Sequence, residues 1–169
     1  MRGRASCYGG LFWMYADCWG EVGWTIVDYY LRRKPAWYYI RRTYAPLRLI
    51  LRPAEGDQVS VVLANDMREV THLALEYGYV SLDGTSSDVH QLELSAPGLS
   101  RTSLVTFGRG THDPTRGLWM ARAATGLKLQ TATFHAVDYR ALEVPECCLE
   151  VALLRSSERS CTLRIEAPV

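Results

Sequence analysis

GGLFWMYADCWGEVGWTIVDYYLRRKPAWYYIRRTYAP, residues 9–46, is the most aromatic run of the chain and decides how the rest is read. It holds four of the five tryptophans and, together with Tyr8, twelve of the eighteen aromatic residues. Each such side chain buries a large apolar area when packed, so a run this dense is expected inside a structure. Residues 11–15, opened by Gly9 and Gly10, read as a short strand buried on both faces. Pro35 suits the first position of a helix whose Trp37, Ile40, Arg41 and Tyr44 share one face, and Pro46 ends that helix. The connection between them carries Asp17, Cys18, Trp19, Glu21, Trp24 and Asp28. Strand, polar-aromatic loop and helix make one unit of a (β/α)8 barrel, in which functional groups gather at the strand's C-terminal end.

Past Pro46 the hydrophobic period changes from helical to alternating. Residues 47–51 are an apolar strand stopped by Pro53, Glu55 and Gly56. Val59, Val61 and Leu63 alternate with Ser60 and Val62, Asn65-Asp66 makes a turn, and Leu73, Leu75, Tyr77 and Tyr79 resume the alternation up to Asp83-Gly84. Further short runs follow at 89–94, 103–107, 118–124, 127–134, 149–153 and 161–165, most of them separated by Gly- or Pro-bearing breaks. About nine strands at this spacing predict an antiparallel, immunoglobulin-like β-sandwich. The expected fold class is therefore mainly β, a sandwich over residues 47–169 preceded at 1–46 by a strand–helix remnant of a barrel.

The order LFWMYADCW, GWTIVDYY, RRKPAWYYIRRTYAP resembles the last strand and last helix of the catalytic barrel of glycoside hydrolase family 2, in its β-mannosidase-like branch. That branch carries a tryptophan-containing strand, an Asn-Asp-Cys-Trp turn, a Ser-Trp-Ser-like step and an Asp-Tyr-Tyr before the helix. Trp13, Asp17, Cys18, Trp19, Trp24, Asp28, Tyr29 and Tyr30 stand at matching places. Two positions depart from the pattern: Ala16 replaces the usual Asn and Gly20 the usual Pro. The resemblance is specific over about forty residues and continues, more weakly, through VVLANDMREV at 61–70. It implies that the natural N-terminus lies upstream, and that the acid/base and nucleophile glutamates lie on barrel strands to which nothing in this chain corresponds.

The remaining composition narrows the classes. With 169 residues, 48% hydrophobic and 22% charged, the chain has the make-up of a soluble globular protein. A net charge of +1 argues against nucleic-acid or membrane binding driven by electrostatics. Arg32, Arg33, Lys34, Arg41 and Arg42 form the one basic cluster, read as a solvated flank of the helix. No window reaches the length of a membrane span, and residues 1–6 lack the apolar core of a secretory signal. Cys7, Cys18, Cys147, Cys148 and Cys161 are odd in number and without metal-type spacing, which reads as buried free thiols and tilts the localisation toward the cytoplasm. His72, His90, His112 and His135 show no paired spacing, so no metal or cofactor is expected. GRGTHDPTRG at 108–117 lacks the GK[ST] of a P-loop and reads as a solvent loop; a GxSxG is absent from the sequence.

Glycoside hydrolysis normally uses two carboxyl groups flanking the scissile bond. The segment's own carboxylates, Asp17, Glu21 and Asp28, read as loop residues, so no catalytic residue is assigned. The candidate sugar-binding residues are Trp13, Asp17, Trp19 and Trp24. An indole plane can stack on the C–H face of a sugar, and the family tryptophan matching Trp13 lines the sugar subsite; without the resemblance a tryptophan in an apolar strand is core, and both readings stay open. Asp17 either binds a sugar hydroxyl or pins the loop, with pinning the stronger reading. For Trp19 and Trp24 packing is the stronger reading. The function expected is that of the C-terminal part of a hydrolase acting on terminal β-linked sugars, itself inactive, with carbohydrate as the parent's partner and self-association through the exposed barrel remnant. The alternative is a non-catalytic sandwich module that binds glycans or serves packing.

Overall fold

The computed structural model describes residues 10–20, 23–124, 129–146 and 148–166. One helix, α1 (Pro35–Thr43), precedes nine strands: β1 (Leu47–Pro53), β2 (Gln58–Asn65), β3 (Thr71–Ser81), β4 (Ser87–Ala96), β5 (Ser100–Gly108), β6 (Gly117–Ala123), β7 (Ala132–Phe134), β8 (Glu150–Ser156) and β9 (Cys161–Glu166). Seven of them make the sandwich. One sheet has the order β1-β2-β5 and the other β4-β3-β6-β7, with every pair antiparallel. The fourth strand joins the third rather than the fifth, so the four-stranded sheet is the second one, unlike the antibody constant arrangement.

The alternating residues build the core between the sheets. Leu49, Val61 and Leu63 of the first sheet meet Leu73, Leu75 and Ala121 of the second, while Val59 packs with Tyr79 and Trp119 at one end. β2 is buried along both faces rather than one, its outer residues Ser60, Val62 and Ala64 lying between the side chains of β1 and β5. The register sets Arg48, Ile50 and Arg52 beside Ala64, Val62 and Ser60, and long arginine stems cover small neighbours well. A bulge opposite Val61 and Val62 leaves Leu104 without a ladder partner, and Leu104 and Val105 both reach the core.

Three turns hold the sandwich ends. The Asn65 side chain is wholly buried; its amide donates to the carbonyls of Glu69 (3.1 Å) and Pro97 (3.0 Å) and to Thr71 Oγ1 (3.2 Å), and its oxygen accepts from Met67 N (3.0 Å). The loop at 108–117, expected to be a solvent loop, has Gly108, Gly110, Thr111, Asp113 and Arg116 exposed and is also anchored. His112 stacks on Tyr79 with centroids 4.3 Å apart, and the Tyr79 hydroxyl donates to the Asp113 carbonyl at 3.1 Å. Burial raises the Tyr79 pKa, with the Asp113 carboxylate adding to it. The β3–β4 turn is tied by Asp83, which accepts from Ser81 Oγ (2.6 Å), Thr85 N (3.0 Å) and Thr85 Oγ1 (2.8 Å).

Those three donors, with Ser81 the strongest, lower the Asp83 carboxyl from 3.8 to about 2. A folded-state pKa below the unfolded one means a contribution to stability that is present above pH ~4 and lost as the pH falls through about 2. Asp83→Asn should therefore flatten the dependence of stability on pH between 4 and 2. A side-chain titration of Asp83 with its midpoint near 4 would overturn this.

Among the described residues, the strands β8 and β9 pair only with each other, as a two-stranded sheet outside the seven-stranded sandwich. Every residue of both is exposed, with Val151, Leu153, Leu163 and Ile165 along one face. The expected sandwich of about nine strands is thus corrected to seven. A further correction concerns the thiols: Cys18, Cys148 and Cys161 are free but exposed, because they lie on the aromatic loop, just ahead of β8 and at the start of β9 rather than in the core. Cys7 and Cys147 lie outside the described residues.

Candidate functional site

Three short pieces of chain lie side by side ahead of α1. Val27 forms a parallel bridge with Ala16 and an antiparallel bridge with Arg33. Asp17 N donates to the Val27 carbonyl (3.1 Å), Val27 N to the Tyr15 carbonyl (3.0 Å) and Lys34 N to the Ile26 carbonyl (3.0 Å). Thr25, Ile26 and Val27 are buried there.

Asp17 closes this junction. Its Oδ1 accepts from the Thr25 hydroxyl at 2.7 Å and its Oδ2 lies 2.7 Å from Lys34 Nζ. Lys34 Nζ also donates to Thr25 Oγ1 (2.6 Å) and to the Gly23 carbonyl (3.2 Å). The bond from Lys34, then that from Thr25, hold the Asp17 carboxyl below the ordinary aspartate range against the opposing effect of burial. The side chain thus pins the loop, through a hydroxyl and an ammonium rather than backbone N–H groups. Asp28 is also engaged, accepting from Arg32 N at 2.7 Å in a turn where Leu31 has φ 61°. Glu21 lies outside the described residues.

The three candidate tryptophans face solvent. Trp13 is 82% exposed, Trp19 65% and Trp24 87%, and among the described residues no ring packs on any of them. The packing role expected for Trp19 and Trp24 does not hold here. Nor do residues 11–15 form the expected strand: no ladder runs along 11–14, and Leu11, Trp13 and Tyr15 are exposed. A strand needs a neighbour to satisfy its backbone groups, and among the described residues the nearest pairing is the single bridge at Ala16. The Trp13–Met14 peptide is cis.

The helix is as expected, with Pro35 at its start and Arg41 and Arg42 in its last turn, where cations suit the helix dipole. Ile40 and Tyr44 face Gly10 and Phe12. The Phe12 and Tyr44 rings meet edge to face at 6.4 Å, and the Tyr44 hydroxyl donates to the Gly10 carbonyl. Trp37 lies between the guanidinium groups of Arg33 (4.2 Å) and Arg41 (5.6 Å), so part of the basic flank rests on an aromatic ring.

No family model matches the chain. It is 30% identical over 119 residues to β-mannosidase B of Aspergillus terreus and 45% identical over 51 residues to β-mannosidase B of Emericella nidulans. The chain is homologous to part of the family 2 β-mannosidases. These matches take in 63% and 30% of this chain but only 13% and 6% of those relatives, so the chain spans a small share of their length. The crystal structure of the β-D-mannosidase from Dictyoglomus thermophilum superposes on 92% of this chain and 19% of its own, with a TM-score of 0.77 and 23% identity, and thus shares its fold.

Sequence reasoning missed two groupings that only the topology creates. His90 Nε2 and His112 Nε2 lie 3.3 and 3.1 Å from the two oxygens of Asp88, joining β4 to the anchored loop. A groove of about 590 Å³ runs between α1, the edge strand β1 and the chain at 130–133. A signal for the groove was available in Tyr38 and Tyr39 followed by Arg41 and Arg42, but its far wall is ninety residues further along the chain.

Proposed function

We propose that this chain is the C-terminal part of a β-mannosidase-like glycoside hydrolase acting on terminal β-linked sugars by a retaining mechanism. In this reading residues 1–46 close a catalytic barrel and the sandwich follows it. The observation that carries it is the identity to β-mannosidases B over 119 residues. The Asp17–Thr25–Lys34 junction supports it: a part-buried ion pair with a shared hydroxyl holds the turn between Trp13 and Trp24, leaving both indoles open to a sugar face. Trp13 stacks on the sugar, Trp19 and Trp24 line the rim, and Asp17 positions them. We assign no catalytic carboxylate to this segment: among its described residues, Asp17 and Asp28 are already engaged, which argues against either protonating a leaving group or attacking. The exposed aromatic segment favours self-association while it lacks its cover.

The purified chain should give no turnover of p-nitrophenyl β-D-mannoside. Activity that survives repurification and vanishes in Asp17→Asn would defeat the reading. Its positive arm is a chimera with residues 10–46 replacing the matching segment of the Aspergillus terreus enzyme. The chimera should hydrolyse the mannoside, and Trp13→Ala in it should lower kcat/KM about tenfold or more, since ring stacking adds ~0.5–1.5 kcal/mol to the area buried. The alternative, a glycan-binding module without catalysis, is favoured by the same exposed indoles and predicts mannoside binding by the isolated chain. The sandwich itself offers no stacking platform of tryptophan, because Trp119 is 2% exposed.

A further inference from the structure

The groove between α1 and the sandwich is lined by three arginines, Arg41, Arg42 and Arg48, and by no aspartate or glutamate among the described residues. In a chain of net charge +1 that is a local excess of one sign. Arg42 lies over the Tyr39 ring at 4.3 Å, and Arg41 over Trp37. A guanidinium held by its flat face keeps its in-plane N–H donors directed outward, in the fork that matches a carboxylate or phosphate. The opposite wall supplies Gln130, Thr131 and Thr133, neutral groups able to donate to and accept from hydroxyls. Tyr38, 46% exposed, adds an aromatic surface.

We propose that this groove binds a small anionic sugar. Its acid group meets Arg41 and Arg42, its hydroxyls meet the 130–133 wall, and its C–H face lies on a tyrosine. The volume, within the ~300–1,000 Å³ of small-molecule sites, fits a mono- or disaccharide better than an extended acidic peptide. None of the tryptophans assigned above lines it, so the proposal stands independently of the barrel reading.

The test titrates the whole chain at low salt by calorimetry and amide NMR, with D-glucuronate, D-glucose 6-phosphate, inorganic phosphate, D-mannose and a hexaglutamate peptide as probes. Glucuronate or glucose 6-phosphate should bind with Kd on the order of 1 mM or tighter, shifting the amides of Thr131 and Thr133. Affinity should fall with added salt, fall about tenfold or more in Arg42→Gln, and be partly kept in Arg42→Lys. Salt dependence and the shifted amides in the unmodified chain serve as readouts should Arg42→Gln fail to fold. The proposal is overturned by mannose shifting the Thr131 and Thr133 amides with equal affinity, by phosphate binding as tightly as its sugar ester, by preference for the peptide, or by no binding of either anionic sugar.

Discussion

Gly78→Ala is expected to remove about 3–5 kcal/mol of stability from the sandwich, a large share of the ~5–15 kcal/mol typical of a domain. Gly78 sits in the middle of β3, paired with Val89 of β4 and Met120 of β6, and has φ +146°, a conformation that side chains rarely adopt. A Cβ there would overlap the Asp88 carbonyl oxygen and come within 3.0 Å of Val89 Cα. Both are backbone atoms of a paired strand, so relief means opening the β3–β4 ladder. Strain at such a φ costs about 1–3 kcal/mol and overpacking about as much again. Gly84→Ala is the control: φ is +71° and nothing lies within 4 Å of the added carbon, so only the conformational cost remains. Urea midpoints followed by far-UV circular dichroism should separate the two variants clearly. A Gly78→Ala loss no larger than that of Gly84→Ala would show that the ladder yields freely.

Asn65→Leu should cost about 3 kcal/mol or more. Leucine fills a similar volume but leaves the Met67 N–H and the Pro97 and Glu69 carbonyls without their partner, and each buried group so stranded costs about 1–3 kcal/mol. The effect should show at once in the loops at 66–70 and 97–99, which are also joined by Leu99 N donating to the Met67 carbonyl at 2.7 Å. Asn65→Asp gives a finer reading. It keeps the acceptor for Met67 N but sets a carboxylate against two carbonyl oxygens and a hydroxyl, which raises its folded-state pKa. Its deficit relative to the native chain should therefore shrink as the pH falls and the carboxyl becomes a donor. A pH-independent deficit would mean that the amide's donor side contributes nothing.

Legibility followed the range of the interactions. The alternations at 59–63 and 73–79 report a local property, which face of a strand is apolar, and they locate β2, β3 and the core correctly. Asn65 was readable as a turn residue because its bond to Met67 N spans two residues; its bond to Pro97 spans thirty-two and was not readable. The bulge at Leu104 and the close approach at Gly78 arise from how two strands register, which neither strand encodes alone. A glycine inside the run LEYGYV was nonetheless a signal worth following. At the candidate site the motif identified Asp17 and its loop-pinning role, but its partners Thr25 and Lys34 come from later in the chain. Counting aromatic residues led to an expectation of burial within a whole barrel and of exposure for the remnant alone, and here Leu11, Trp13 and Tyr15 are exposed. Aromatic density says how much apolar surface a segment brings, and burial depends on what is present to cover it.

The contrast between Trp119 inside the sandwich and Trp13, Trp19 and Trp24 outside it bears on how the protein can be watched. Intrinsic fluorescence will be dominated by water-exposed indoles on the loop ahead of α1, emitting toward the red and open to acrylamide. Loss of the sandwich core changes the surroundings of one emitter among five, so a melt followed by tryptophan emission mostly records the loop. Replacing the three loop indoles with phenylalanine would turn Trp119 into a reporter of the core, its light confounded only by half-buried Trp37.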